Sequence, residues 1–275
     1  MGSDGSCWGA LRSRAGRSTP AAAMEGRKGP VIVSAFGAAS IAADLASSIA
    51  DSCMDEPIYA LETRILPAWA GEDNDVIVFR SSPRDDSIVA FARDRGCGVH
   101  MVEATDSVAD SMVSLFSVLS GIGRGEPFRQ LLEASDAVAG FEPGGIGEMR
   151  SRMEGLSVSV YGTSELKAAC RYWRMLLPGI TGLPSFYSEI PEFDHNELVG
   201  WFDPNDHNGK LYPVILRAPS GSELLDFIEG NLVGILREEG RAVEDIQIGG
   251  STAAERNLRA FMIIDGLAGG GLRWR

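Results

Sequence analysis

Val33-Ser34-Ala35-Phe36-Gly37 and, far downstream, Val158-Ser159-Val160-Tyr161-Gly162 are the two stretches whose reading decides the fold. Each is a short β-branched or aromatic run broken by a glycine and followed by an alanine-rich helical pattern. The first opens a helix over Ala38 to Ser52, the second one over Thr163 to Leu177. Each half then supplies a strand that ends in arginine and a turn containing serine and proline: Val76-Ile77-Val78-Phe79-Arg80, and Pro213-Val214-Ile215-Leu216-Arg217. Strands that alternate with helices in this way predict a parallel sheet, hence an α/β protein with two similar lobes.

The remaining elements follow from their punctuation. Ile58-Tyr59-Ala60 and Val99-His100-Met101-Val102 read as strands, with His100 a core residue. Ser82-Pro83 starts a helix that ends near Gly96, with proline in the first turn where its missing N–H costs nothing. Asp106 is the expected cap of the next helix, which runs to Leu119. Glu126 to Ala139 reads as a connecting helix, and Pro143-Gly144-Gly145 as a break. Ser222 to Glu238, Val243 to Ile248 and Thr252 to Leu267 read as helix, strand and helix. Tyr172, Trp173 and Met175 are expected to pack in the core. The expected organisation is a tail over 1–29, a first lobe over 30–125, a linker with one helix over 126–155, and a second lobe over 156–275.

Composition narrows the function. Hydrophobic residues make up 44% and charged residues 23%, enough apolar surface to fold. No apolar stretch is long enough to span a bilayer; Asp110 and four serines break the best, Val108 to Ile122. The net charge of −13 repels a phosphate backbone, so neither membrane nor nucleic acid is an expected partner. The front segment is the exception, with Arg12, Arg14, Arg17, Arg27 and Lys28 against Asp4 and Glu25. It reads as a disordered extension or an upstream start, with Met24 as the working start, and it lacks the apolar core of a secretion signal. Cys7, Cys53, Cys97 and Cys170 show no CxxC spacing, which predicts a reduced, cytoplasmic protein without a metal site. Asp203 to Gly209 looks briefly like a calcium loop. Its register would put Pro204 and Ile215 at ligand positions, so an exposed turn is expected there, and His207 is no ligand.

Open α/β sheets bind ligands beyond the carboxyl ends of their strands, where helix N-termini aim amide donors outward. This selects the turns at Gly37, Ser81-Ser82, Gly162 and Ala218 to Ser220, and favours an anion, commonly a phosphate. None matches GxGxxG or GxxxxGK[ST], so no nucleotide or other cofactor is expected.

One segment is more specific: Pro184-Ser185-Phe186-Tyr187, then Pro191-Glu192-Phe193-Asp194-His195-Asn196-Glu197-Leu198-Val199-Gly200-Trp201. It resembles the signature of the bifunctional phosphoglucose/phosphomannose isomerases, built from two sugar-isomerase (SIS) lobes. Leu66-Pro67-Ala68-Trp69, Val214 to Arg217 and Ile264-Asp265-Gly266 agree in order. The resemblance implies an aldose–ketose isomerase that takes glucose or mannose 6-phosphate to fructose 6-phosphate, as a homodimer. It implies that His195 opens the sugar ring. It also implies a glutamate base, and counting back without gaps puts that base at Gly179. Glu189, Glu192 and Glu197 are the nearby carboxylates, and His195 with Glu197 forms the candidate catalytic pair.

For phosphate the resemblance implies Gly37, Ser40, Ser81 and Ser82, with Arg80 and Arg84 as compensating cations. Ala39 stands where the family has serine and Asp85 where it has threonine. A carboxylate about 4 Å from a phosphate oxygen would cost on the order of 4 kcal/mol per charge pair. The sequence ends at Arg275, and lysine occurs only as Lys28, Lys167 and Lys210, whereas the family carries a threonine and a lysine in a last helix. The expectation is therefore a partly eroded isomerase site, or alternatively a non-catalytic sugar-phosphate sensor or partner-binding protein.

Overall fold

The computed structural model describes residues 8–16, 26–202, 209–219 and 221–269. Met24, Ser220, and Asp203 to Asn208 with His207 lie outside the described residues. The chain divides into two compact units, Met1–Gly140 and Phe141–Arg275. This boundary separates the two helices on either side of it. The helix read as a connector packs within the first unit, and a further helix belongs to the second.

In the first unit β1 (Val31–Ser34), β2 (Ile58–Leu61), β3 (Asp75–Arg80) and β4 (Gly98–Glu103) form one parallel sheet in the order β2-β1-β3-β4. Parallel strands need crossover helices, and these cover both faces, so the central strands carry apolar residues on both. Ile32, Val76 and Val78 pack with Ile88, Val89 and Ala92 of α3 (Asp86–Asp94). Val31, Val33, Ile77 and Phe79 of the opposite face are buried as well. The crossovers are α2 (Ala38–Cys53), α3 and, after β4, α4 (Val108–Gly121), with α5 (Glu126–Ala137) packed on α2 and α4. Ser107, not Asp106, caps α4: its side chain accepts from the Asp110 amide at 3.1 Å. His100 is buried as expected, and its Nε2 lies 2.7 Å from Asp75 Oδ1.

The front segment differs from expectation. Residues 8–16 include α1 (Leu11–Ala15), which packs on α4 and α5. Trp8 and Leu11 are fully buried, and Ser135 Oγ donates to the Trp8 carbonyl at 2.6 Å. Arg12 pairs with Asp136 at 2.7 Å. Nearer β1, Arg124 donates to the carbonyls of Arg27, Lys28 and Gly29 at 3.1–3.2 Å. The segment has no helical period long enough to detect. Its order comes from one tryptophan and a few charge pairs.

In the second unit β5 (Ser157–Thr163), β6 (Phe186–Ile190), β7 (Leu211–Arg217) and β8 (Glu244–Gln247) repeat the plan, all parallel, in the order β6-β5-β7-β8. The helices are α6 (Ile146–Met153), α7 (Lys167–Thr181), the short α8 (Glu192–Asn196), α9 (Glu223–Glu238) and α10 (Ala253–Ala268). α6 went unread behind the Pro143–Gly145 break, and β6 lay inside the isomerase-like segment. α7 starts four residues later than expected, because Gly162 is not a turn. It is the penultimate residue of β5, and a Cβ there would lie 2.8 Å from Cys170 Sγ. Between α7 and α10, Trp173 Nε1 donates to the Ala260 carbonyl at 2.9 Å. The wholly buried Asn257 accepts the Ala169 amide at 3.1 Å and donates to the Glu165 carbonyl at 2.9 Å. No described helix is long and apolar enough to cross a membrane.

Two substitutions probe these contacts. Trp8→Ala should lower the stability of the first unit by about 3–5 kcal/mol, the usual cost of emptying a buried tryptophan site. Its unfolding transition in denaturant would measure this; an unchanged midpoint would return residues 8–16 to the status of a loose tail. Gly162→Ala should cost about 1–3 kcal/mol through overpacking, and adding Cys170→Ala should recover part of that loss. Equal stability of the single and double variants would sink this account.

Candidate functional site

In the first lobe the connections from β1 and β3 leave in opposite directions, to β2 and to β4, so the crevice lies between the carboxyl ends of β1 and β3. Gly37 caps α2 at that end with φ +60°, a conformation that favours glycine. Ser40 is buried one turn into α2, and its Oγ donates to the Gly37 carbonyl at 2.8 Å. Ser81 and Ser82 follow β3. Their backbone N–H groups both donate to Asp85 Oδ2 at 2.8 Å, and their hydroxyls lie 3.1 and 3.4 Å from the same oxygen. Arg64 Nε donates to the other oxygen, Oδ1, at 2.7 Å.

Asp85 is only 2% exposed, and burial alone would raise its pKa. The Ser81 and Ser82 amides, the Arg64 guanidinium and the Ser81 hydroxyl more than offset this and hold it at about 2. Asp85 was read as a repelling neighbour of a bound phosphate, with Arg80 and Arg84 in compensation. Instead its carboxylate sits on the donors themselves. Arg80 pairs with Asp86 at 3.1 Å, and Arg84 is exposed on the turn. The cation that meets the carboxylate is Arg64, whose position in the loop after β2 no motif marked.

His195 and Glu197 belong to the second unit. They follow β6, with the cis Ile190–Pro191 peptide between strand and helix. Phe193 is fully buried, 4.2 Å from the Tyr161 ring, and it anchors α8 together with Ile190 and Trp201. Two residues on, about 200° round the helix, His195 faces solvent. Glu197 accepts from the Tyr161 hydroxyl at 3.1 Å; burial and then the Glu197 charge push that hydroxyl's pKa up. Glu189, at the end of β6, lies 3.4 Å from Lys167. Gly179 is exposed in the last turn of α7, which runs back along the sheet from the end where His195 lies. The twelve residues of helix from Lys167 place it about 18 Å from that end, so within one lobe the two positions do not meet.

The second lobe holds one group that the sequence reading missed. Glu229 of α9 is 1% exposed, and its Oε2 lies 3.9 Å from Nε of Arg217, the last residue of β7. Glu229 Oε1 and Arg217 Nε are both buried without a hydrogen-bond partner among the described residues. Arg217 also approaches Asp245 at 3.3 Å. Burial raises the Glu229 pKa to about 7, against the lowering effect of Arg217. A signal for it existed: Glu229 shares the apolar stripe of Leu232, Val233 and Leu236, where an acid is out of place. Among the described residues no cluster of histidine, cysteine and carboxylate could hold a metal.

Residues 148–268 match the model of the bacterial phospho-glucose isomerase C-terminal SIS domain. No curated protein matches the chain at the level of sequence. Among solved structures, the chain resembles a glucose-6-phosphate isomerase-like protein from Thermus thermophilus at 16% identity and TM-score 0.59, covering 96% of this chain and 86% of that one. It also resembles tagatose-6-phosphate ketose/aldose isomerase from Escherichia coli, at 14% identity and TM-score 0.59, covering 97% and 88%. A third is the C-terminal domain of glucosamine-fructose-6-phosphate aminotransferase from Francisella tularensis, at 12% and 0.58, covering 88% and 84%. The architecture is that of the SIS-domain phosphosugar isomerases: two four-stranded parallel sheets flanked by helices. At these identities the structural likeness establishes the fold.

The raised pKa of Glu229 has a definite sign. The folded state binds its proton more tightly than the unfolded state, where the value is near 4.5. Its contribution is therefore fully present below about pH 4.5 and lost as pH rises through 7. The loss is at most about 3 kcal/mol. Glu229→Gln should flatten that part of the melting-temperature profile between pH 4.5 and 7.5; an identical slope in both proteins would refute the assignment.

Proposed function

We propose that this protein is a phosphosugar isomerase of the glucose/mannose 6-phosphate to fructose 6-phosphate type, with a partly eroded active site, acting in the cytoplasm as a homodimer. The observation that carries the reading is the placement of His195. Phe193 and Trp201 bury the inner face of the isomerase-like segment, and His195 stands exposed on the outer face, inside the region matched by the bacterial isomerase model. In this reading His195 opens the ring and Glu197 is the relocated base that carries the proton between C2 and C1 of the enediol. Gly37, Ser40, Ser81 and Ser82 are the phosphate donors, with Arg80 and Arg84 beside them. Erosion follows from glycine at position 179 and from the hold of Asp85 on two of those serines. The same hold favours a second reading, in which the protein binds a sugar phosphate without turning it over.

A coupled assay for glucose 6-phosphate formed from fructose 6-phosphate tests the proposal. Slow turnover is expected. His195→Ala should abolish it, and Glu197→Gln should lower it by about 10²–10⁴-fold, the usual worth of a positioned base. Turnover no higher than that of His195→Ala would defeat the isomerase reading. A rise in melting temperature with hexose 6-phosphates but without turnover would support the second.

A further inference from the structure

We propose that Asp85 is a built-in anionic plug of the first lobe, occupying with Arg64 the donor set a phosphate would need, so that an oxyanion enters that crevice only by displacing it. The plug stands at the switch point of the sheet, where open α/β folds take ligands. Two backbone N–H groups and two hydroxyls converge on one carboxylate oxygen, and a guanidinium holds the other. Converging amides of this kind, with an arginine, form an anion-binding concavity. Here the anion belongs to the chain itself.

A capping box accounts for part of this, since Ser82 and Asp85 satisfy each other's amides at the helix start. It does not account for Arg64. That residue lies in the loop after β2, whereas Asp85 lies after β3, and β1 runs between those strands. The ion pair therefore spans the carboxyl end of β1, and Arg64 crosses there 4.5 Å above the Phe36 ring. Ser34 Oγ, at the end of β1, fixes the same loop by donating to the Thr63 carbonyl at 2.9 Å. Glu255 in the second lobe makes the contrast. It caps its helix through Ser251 at 2.9 Å, but its arginine, Arg259, comes from the same helix, and the cap follows the outer strand β8. One carboxylate caps a helix. The other also bars a crevice.

The inference goes beyond the isomerase reading and does not need a sugar. Binding of inorganic phosphate at constant ionic strength, measured by equilibrium dialysis on the full chain, tests it. Asp85→Ser should bind phosphate at least about tenfold more tightly than the wild type. Asp94→Asn, the same charge change on exposed α3 surface, should behave as wild type, and Arg64→Ala combined with Asp85→Ser should lose the gain. Asp85→Asn keeps the side-chain shape and should gain in the same direction, which preserves the test if the serine variant folds poorly. Equal phosphate affinity in wild type and both Asp85 variants would overturn the plug. Isomerase turnover in the wild type with no gain in these variants would sink the plug and leave the isomerase reading. A gain without turnover would do the reverse.

Discussion

Parallel pairing of β1 with β3, and of β5 with β7, is the constraint on which both lobes depend. Parallel neighbours cannot be joined by a tight turn, so each must be reached through a crossover helix. The first crossover in each lobe leads outward to one edge strand, and the later ones lead to the other. Two adjacent strands therefore send their chains apart. The backbone groups at their carboxyl ends cannot pair with each other, and they must find a ligand, water or a side chain. In the first lobe the amides of Ser81 and Ser82 find Asp85.

The chain's charge makes that solution intelligible. At a net −13, a free anion approaches against the protein's own field and pays for lost translational freedom on arrival. A carboxylate already tethered four residues along the chain meets neither obstacle in full. It therefore competes well against a ligand that would have to come from solution. The arginine that neutralises it is also supplied locally, from the neighbouring strand's loop.

Most of the fold was legible because its signals are local and repeated. The β-branched runs at Val31 to Val33 and Val76 to Phe79 needed only a period and a glycine to be read, and both are strands. Glycine itself misled once. Gly162 was taken for a turn by analogy with Gly37, but it is small because Cys170 packs against it across the lobe. α6 was hidden behind a proline–glycine break, and α1 is too short to show a period. At the candidate site, the serines and the aspartate were visible, but their mutual orientation was not. Whether a carboxylate lies beside a donor set or on it is decided by a few ångströms of loop. Arg64 enters only through a contact 21 residues distant in sequence.

Asp85 and Glu229 show how the same kind of position yields opposite chemistry. Both are carboxylates almost wholly removed from water, near the carboxyl ends of the central strands of their sheets. Burial pushes both toward the neutral acid. Asp85 receives two amides, an arginine at 2.7 Å and a hydroxyl, and stays ionised down to about pH 2. Glu229 has an arginine only at 3.9 Å and one oxygen without a partner, and its proton is lost at about pH 7. The number of donors within hydrogen-bond reach, not burial, separates them. A site that must hold a fixed negative charge needs a full donor set, and one that must exchange a proton near neutrality needs an incomplete one. The first lobe provides the former and the second the latter.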